Sequence, residues 1–151
     1  MKSLKKKTQQ LQNKIKDLLK KYIKLLHLEQ WEIDVVLSKE DLLKVKSGKV
    51  KRVSPDYFAE VIYEYLVNSA TLIITKLQTV DKPEELEDTI LHELLHIKLA
   101  SIMQTTDSLI SMSGLKKEKV EALTGDMDSK EHEIIETFIS IILNREKKNG
   151  K

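Results

Sequence analysis

The stretch from Asp81 to Ser101 reads DKPEELEDTILHELLHIKLAS and predicts a helix in the middle of the fold. Asp81 can cap this helix with Glu84 completing a capping box, and Pro83 suits its first turn, where a backbone N–H is not needed. The apolar residues that follow cover most faces of the helix: Leu86, Ile90, Leu91, Leu94, Leu95, Ile97 and Leu99. Such a helix is expected to be buried.

Inside this predicted helix the chain reads His92-Glu93-Leu94-Leu95-His96. Residues four apart share one helix face, so both imidazoles can bind a single metal ion, and Glu93 is placed to reach a water molecule on that ion. Histidines in so apolar a helix need partners for their ring nitrogens, and a metal ion supplies both. The motif therefore predicts a zinc site, with two core histidines hydrogen-bonded to neighbouring groups as the competing interpretation.

The composition limits which other chemistry is possible. The chain has 151 residues, of which 40% are hydrophobic and 33% charged, and this describes one soluble globular domain, 1–151. It has no cysteine, which excludes disulfide frameworks, cysteine-based zinc fingers, iron–sulfur clusters and cysteine nucleophiles. Metal binding is therefore left to carboxylates and to four histidines: His27, His92, His96 and His132.

The segments before the motif predict one helix and a small sheet. Apolar residues at steps of three, four or seven predict an amphipathic helix over 3–27, and alternation predicts a strand over 31–37. Two β-rich runs, 57–66 and 71–75, are separated by Asn68-Ser69 and predict a hairpin. Residues 38–56 are polar and predict a connection. The fold class is therefore α+β, with a small, mainly antiparallel sheet of about three strands.

The segments after the motif predict two further helices. The motif helix is expected to end near Ser101, and residues 102–115 are ambiguous. A short helix over 116–124 is expected to stop at Gly125. The last helix is expected to begin at Asp128 or Ser129 and to end near Lys147.

A catalytic zinc ion needs a third protein ligand, and the last helix offers four candidates. Glu133 shares the polar face with Thr137, so we expect it to be solvated. Glu131 lies at the centre of the apolar face, His132 lies on its flank, and Glu136 follows one turn later. Helix periodicity alone leaves all four open as the third ligand, with Glu133 the one expected on the solvated face.

The HELLH motif, followed by a helix that returns a further ligand, resembles the zincin metallopeptidases. The likeness is to their minimal intracellular members: ImmA/IrrE-like peptidases, SprT-like proteins and small gluzincin-type proteins of phages and mobile elements. It covers most of residues 10–147 and implies a single zincin-like domain. Because gluzincins carry Asp or Asn four residues after the ligand and Phe six residues after it, the resemblance implies His132 as ligand, with Glu136 and Phe138 following. Glu131 is the alternative ligand.

The resemblance also implies roles for these residues in peptide hydrolysis. His92, His96 and His132 would hold Zn²⁺, which lowers the pKa of water to about 7, and Glu93 would act as the general base. Glu136 would fix the tautomer of a ligand histidine through the ring nitrogen that does not bind the metal. Zincins bind the substrate as an added strand, which nominates the 71–76 strand as the receiving edge. A histidine in place of the gluzincin glutamate makes the site similar to that of SprT-like proteins.

Charge and targeting signals define the alternatives. Residues 1–28 carry nine lysines against Asp17, so a membrane surface or nucleic acid could bind there, although no arginine or aromatic stacking pattern accompanies the lysines. No secretory or membrane-spanning run is present, which predicts a cytoplasmic protein.

The leading hypothesis is a zinc peptidase acting on a peptide or protein. The alternatives are a non-catalytic, regulatory zincin-fold binding module and a SprT-like DNA-associated protease.

Overall fold

The structure is a computed structural model that describes residues 2–37, 58–74 and 83–149. Its elements follow in the order α1 (Lys2–Leu25), β1 (Glu32–Val36), β2 (Ala59–Glu64), a 3₁₀ turn (Tyr65–Val67), β3 (Ser69–Ile74), α2 (Pro83–Met112) and α3 (Lys117–Asn149). The predicted α+β class is confirmed. The predicted connection over 38–56 and the predicted cap Asp81 lie outside the described residues. Across the ranges described, no helix has the length and apolarity needed to cross a bilayer.

Within the residues that the structure describes, the sheet has three strands in the order β1-β3-β2. The predicted hairpin is confirmed, because β2 runs antiparallel to β3 with Ala59 opposite Ile74. In contrast, β1 runs parallel to β3 with Glu32 opposite Ser69, so the sheet is mixed rather than mainly antiparallel. The expectation that the 71–76 strand offers a free edge is also wrong for residues 71–74, and residues 75 and 76 lie outside the described part of the chain. β3 is the central strand, and its backbone groups are paired with both neighbours.

The chain forms two compact units, residues 1–97 and residues 98–151. In the first unit, one stripe of α1 is buried. Its members are Ile15, Leu18, Leu19 and Tyr22, and the buried Leu26 follows the end of the helix. The prediction that the motif helix is buried is confirmed, because four side chains of its part in this unit have no exposed surface: Leu86, Ile90, Leu91 and Leu94. The apolar periodicity of both helices thus predicts which faces form the core.

α1 ends in a left-handed cap at His27, whose φ is 52°. The Leu28 N–H donates to the carbonyl of Ile23 at 2.9 Å, and the His27 N–H donates to that of Lys24 at 3.3 Å. These two bonds are those of a Schellman motif, in which glycine is the usual residue at the left-handed position. His27 therefore occupies a strained backbone position.

We expect His27→Gly to stabilise the protein. A side chain in the left-handed region costs about 1–2 kcal/mol, and the additional chain entropy that glycine loses on folding is about 0.4–1 kcal/mol. The free energy of unfolding in urea should rise by about 0.5–1 kcal/mol. His27→Ala keeps the Cβ and serves as the matched control without this gain. A lower stability for His27→Gly than for His27→Ala would contradict the assignment of strain.

In the second unit, α2 continues to Met112, beyond the predicted end at Ser101. Hydroxyl side chains make residues 102–112 weak helix formers in isolation, because they compete for backbone hydrogen bonds. Here Thr105 and Thr106 donate to the carbonyls four residues earlier, at 2.8 and 2.9 Å, so their hydroxyls are satisfied within the helix. The turn that follows contains Gly114, with a φ of 65°.

α3 runs without a break from Lys117 to Asn149, so the two predicted helices are one. The prediction that Gly125 ends a helix is wrong. A glycine acts as a helix C-cap when it takes a positive φ, and Gly125 is not among the described glycines that do so. In a helix interior it costs about 1 kcal/mol relative to alanine, which a helix of 33 residues can tolerate.

Candidate metal centre

The motif residues lie on one face of α2, as their spacing predicts. The Nε2 atoms of His92 and His96 are 3.2 Å apart, and their rings meet edge to face with centroids 4.9 Å apart. Both histidines are half-buried, and Glu93 between them is buried with 9% of its surface exposed. The buried helix thus directs two imidazole nitrogens to a common point.

The spacing of these nitrogens fits a tetrahedral metal ion. Two imidazoles that each bind zinc at about 2.0–2.1 Å, at a tetrahedral angle, have nitrogens about 3.3–3.4 Å apart. The observed 3.2 Å is close to this value. It also fits a direct N–H···N hydrogen bond, in which one imidazole donates and the other accepts. The distance therefore suits both the metal site and the competing pair of core histidines.

His132 lies on the exposed side of α3, and its ring is held by its own helix. Its Nδ1 is 2.8 Å from the carbonyl oxygen of Asp128, one turn earlier. A carbonyl oxygen only accepts, so Nδ1 must carry the proton. In a neutral imidazole Nε2 then carries the lone pair, which is the arrangement found in metal-binding histidines.

One group of potential metal ligands is found in the part of the chain that the structure describes. It consists of His92, His96 and His132, whose ligand nitrogens all lie within 4.8 Å of one another. His27 is not a member of this group. Three neutral imidazoles are a ligand set that suits a catalytic zinc ion, because the fourth position stays open.

The acidic candidates on α3 differ in burial. Glu131 is buried, with 8% of its surface exposed, and shares its face with the buried Ile135 and Ile139, as predicted. Glu133 is exposed, as predicted, and forms an ion pair with Lys130. Glu131 is not a member of the histidine group, and its role as the alternative ligand stays a prediction. The same holds for Glu136, which is exposed, as an orienting residue.

One polar cluster in the first unit has no counterpart among the sequence-based predictions. The Tyr22 hydroxyl donates to Oε1 of Glu87 at 2.7 Å, and the Lys21 ammonium donates to the same oxygen at 3.1 Å. Burial raises the pKa of Glu87, but the hydrogen bonds from Tyr22 and Lys21 outweigh it, so this pKa lies below its usual value. Burial and the hydrogen bond to Glu87 raise the pKa of Tyr22, which keeps its hydroxyl a donor.

The cluster ties α1 to the first turns of α2, one turn before His92. Glu87 gives a sequence signal only as an acidic residue near a helix N-terminus, and Tyr22 only as a member of an apolar stripe. Their pairing spans 65 positions, so no local pattern could have predicted it. The cluster is thus a candidate for holding the motif helix in place.

Comparison with protein families, with curated proteins and with solved structures finds no match to this chain. The chemistry of the site therefore rests on its own residues.

Proposed function

We propose that this protein is a zinc-dependent metallopeptidase. The observation that carries the proposal is the group of three histidine nitrogens within 4.8 Å of one another, with Glu93 between two of them in the motif. The defined tautomer of His132 supports it, because the Asp128 carbonyl holds the proton on Nδ1 and the lone pair is then on Nε2. A site that only stabilised the fold would need no glutamate at position 93.

The proposed roles follow from the chemistry of each side chain. His92, His96 and His132 would hold the zinc ion as neutral imidazoles, with Glu131 as the alternative to His132. Zinc bound there would supply Lewis-acid chemistry, which makes water a usable nucleophile near neutral pH. Glu93 would accept the proton of the attacking water and return it to the amine that leaves the cleaved peptide bond. Glu136 would orient one of the ligand imidazoles.

The proposal extends to family and location. We assign the chain to the minimal zincins on the HELLH motif and on the α+β order of its elements. A cytoplasmic location is supported by the lack of cysteine, and a peptide or protein is the proposed substrate. Only the alternative of a SprT-like DNA-associated protease assigns a role to the lysine-rich segment 1–28, which would then contact nucleic acid.

Metal content tests the proposed ligands directly. The full chain, stripped with a chelator and reloaded with Zn²⁺, is expected to hold about one zinc ion per molecule by mass spectrometry of the metal. His92→Ala and His96→Ala should lose it, and His132→Ala should bind zinc about 10–100-fold more weakly or worse. Glu131→Ala should bind it as the wild type does.

The matched control is His27→Ala, which removes a histidine outside the group. It should keep the zinc ion at full occupancy. If His132→Ala kept the zinc ion at full occupancy and Glu131→Ala lost it, the third ligand would be Glu131 rather than His132. A wild-type chain that holds no zinc after reloading would refute the metal site and favour the pair of hydrogen-bonded core histidines.

A further inference from the structure

The outward face of α3 carries an apolar stripe that the described part of the chain leaves uncovered. Ile134, Phe138 and Ile141 recur at steps of four and three, so they lie on one side of the helix. Their exposed fractions are 43%, 44% and 43%. The buried residues of the same helix, Ile135 and Ile139, lie on a neighbouring face. The apolar arc of α3 is therefore wider than the part that is covered.

The stripe borders a groove that contains charges of both signs. The groove has a volume of about 350 Å³, and its lining among the described residues consists of Lys130, Glu133, Ile134, Thr137 and Phe138. Lys130 and Glu133 form an ion pair across one turn, and both side chains are largely exposed. A surface that carries an apolar stripe and both members of an ion pair is complementary to a copy of itself.

We infer that this face pairs with the same face of a second copy of the chain, with the two α3 helices antiparallel. A two-fold axis between positions 131 and 132 places Lys130 of each copy opposite Glu133 of the other. Leu123 is exposed and lies on the same side of α3 as the stripe. The two-fold axis brings Phe138 and Ile141 of each copy to the level of Leu123 of the other. Each ion pair and each apolar contact then occurs twice, as a two-fold interface requires.

The charges select the antiparallel arrangement over the parallel one. In a parallel pair, Lys130 would face Lys130 and Glu133 would face Glu133, and like charges placed opposite one another destabilise an interface. In an antiparallel pair, Lys130 of each copy instead faces Glu133 of the other, so opposite charges meet across the axis.

Sedimentation equilibrium of the full chain, over a wide range of protein concentration, tests the dimer. The wild type should fit a monomer–dimer equilibrium, and Phe138→Asp should raise the dimer dissociation constant about a hundredfold, because each interface loses two copies of the ring. The matched control is Leu66→Asp, at an apolar residue 82% exposed in the other unit, which should dimerise as the wild type does. A wild type that stays monomeric, or equal weakening by both variants, would overturn the inference.

A charge exchange tests the orientation. Lys130→Glu alone and Glu133→Lys alone should each weaken the dimer, since each places like charges across the axis. The double variant Lys130→Glu/Glu133→Lys restores opposite charges both within the helix and across the axis, so it should dimerise nearly as tightly as the wild type. Circular dichroism checks that all three keep the helix content of the wild type. A double variant as weak as the single ones would overturn the antiparallel arrangement.

Discussion

Glu93→Gln is expected to keep the zinc ion and to lose peptide hydrolysis, with kcat/KM lower by a factor of about 10²–10⁴. The amide has nearly the same shape as the carboxylate but cannot accept the proton of the attacking water. Because Glu93 is buried, with 9% of its surface exposed, a neutral side chain of equal size should not disturb the helix. The measurement is cleavage of a quenched-fluorescence peptide library by the zinc-loaded chain, together with its metal content.

The matched control is Glu84→Gln, which makes the same substitution at an exposed position of the same helix. Its cleavage rate should equal that of the wild type. Equal rates for Glu93→Gln and the wild type would refute the role of Glu93 as general base. A zinc-loaded wild type that cleaves no peptide of the library would refute the peptidase proposal and favour a zincin-fold binding module, while the ligand assignments would still rest on metal content.

The local parts of the fold and of the candidate site could be predicted from the sequence. The burial of α2 follows from the apolar residues on most of its faces, and the approach of His92 to His96 follows from their spacing of four on one helix. The burial of Glu131 and the exposure of Glu133 also follow from helix periodicity. In each case the relevant geometry is fixed within a few turns of one element.

The remaining features could not be predicted, because they depend on residues that are distant in sequence or on backbone groups and backbone angles. The parallel pairing of β1 with β3 joins residues 37 positions apart, with β2 between them in the chain, and the apolar pattern of a strand does not encode the direction of its neighbour. The tautomer of His132 depends on a backbone carbonyl, which has no sequence signature beyond the spacing of four from Asp128. Glycine favours C-caps, so Gly125 and Gly114 give the same sequence signal, but only Gly114 takes the positive φ that a cap requires.

Tyr22→Ala is expected to be strongly destabilising, because this ring has no exposed surface and its hydroxyl binds Glu87. Loss of a buried aromatic side chain costs about 3–5 kcal/mol, and Tyr22→Phe isolates the hydroxyl at about 1–2 kcal/mol. Urea unfolding measures both. If Tyr22→Phe were as stable as the wild type at pH 7, the hydrogen bond would not contribute to stability.

The contribution of Glu87 should disappear in acid. Its pKa in the folded protein lies below that in the unfolded chain, because the hydrogen bonds from Tyr22 and Lys21 outweigh the effect of burial. The stabilisation is therefore present above the unfolded pKa, about 4.3, and is lost as the pH falls through the lower folded value. We expect Glu87→Gln to be less stable than the wild type at neutral pH and to approach it in acid. A stability difference for Glu87→Gln that is the same in acid as at neutral pH would show that the carboxylate is not held by these two donors.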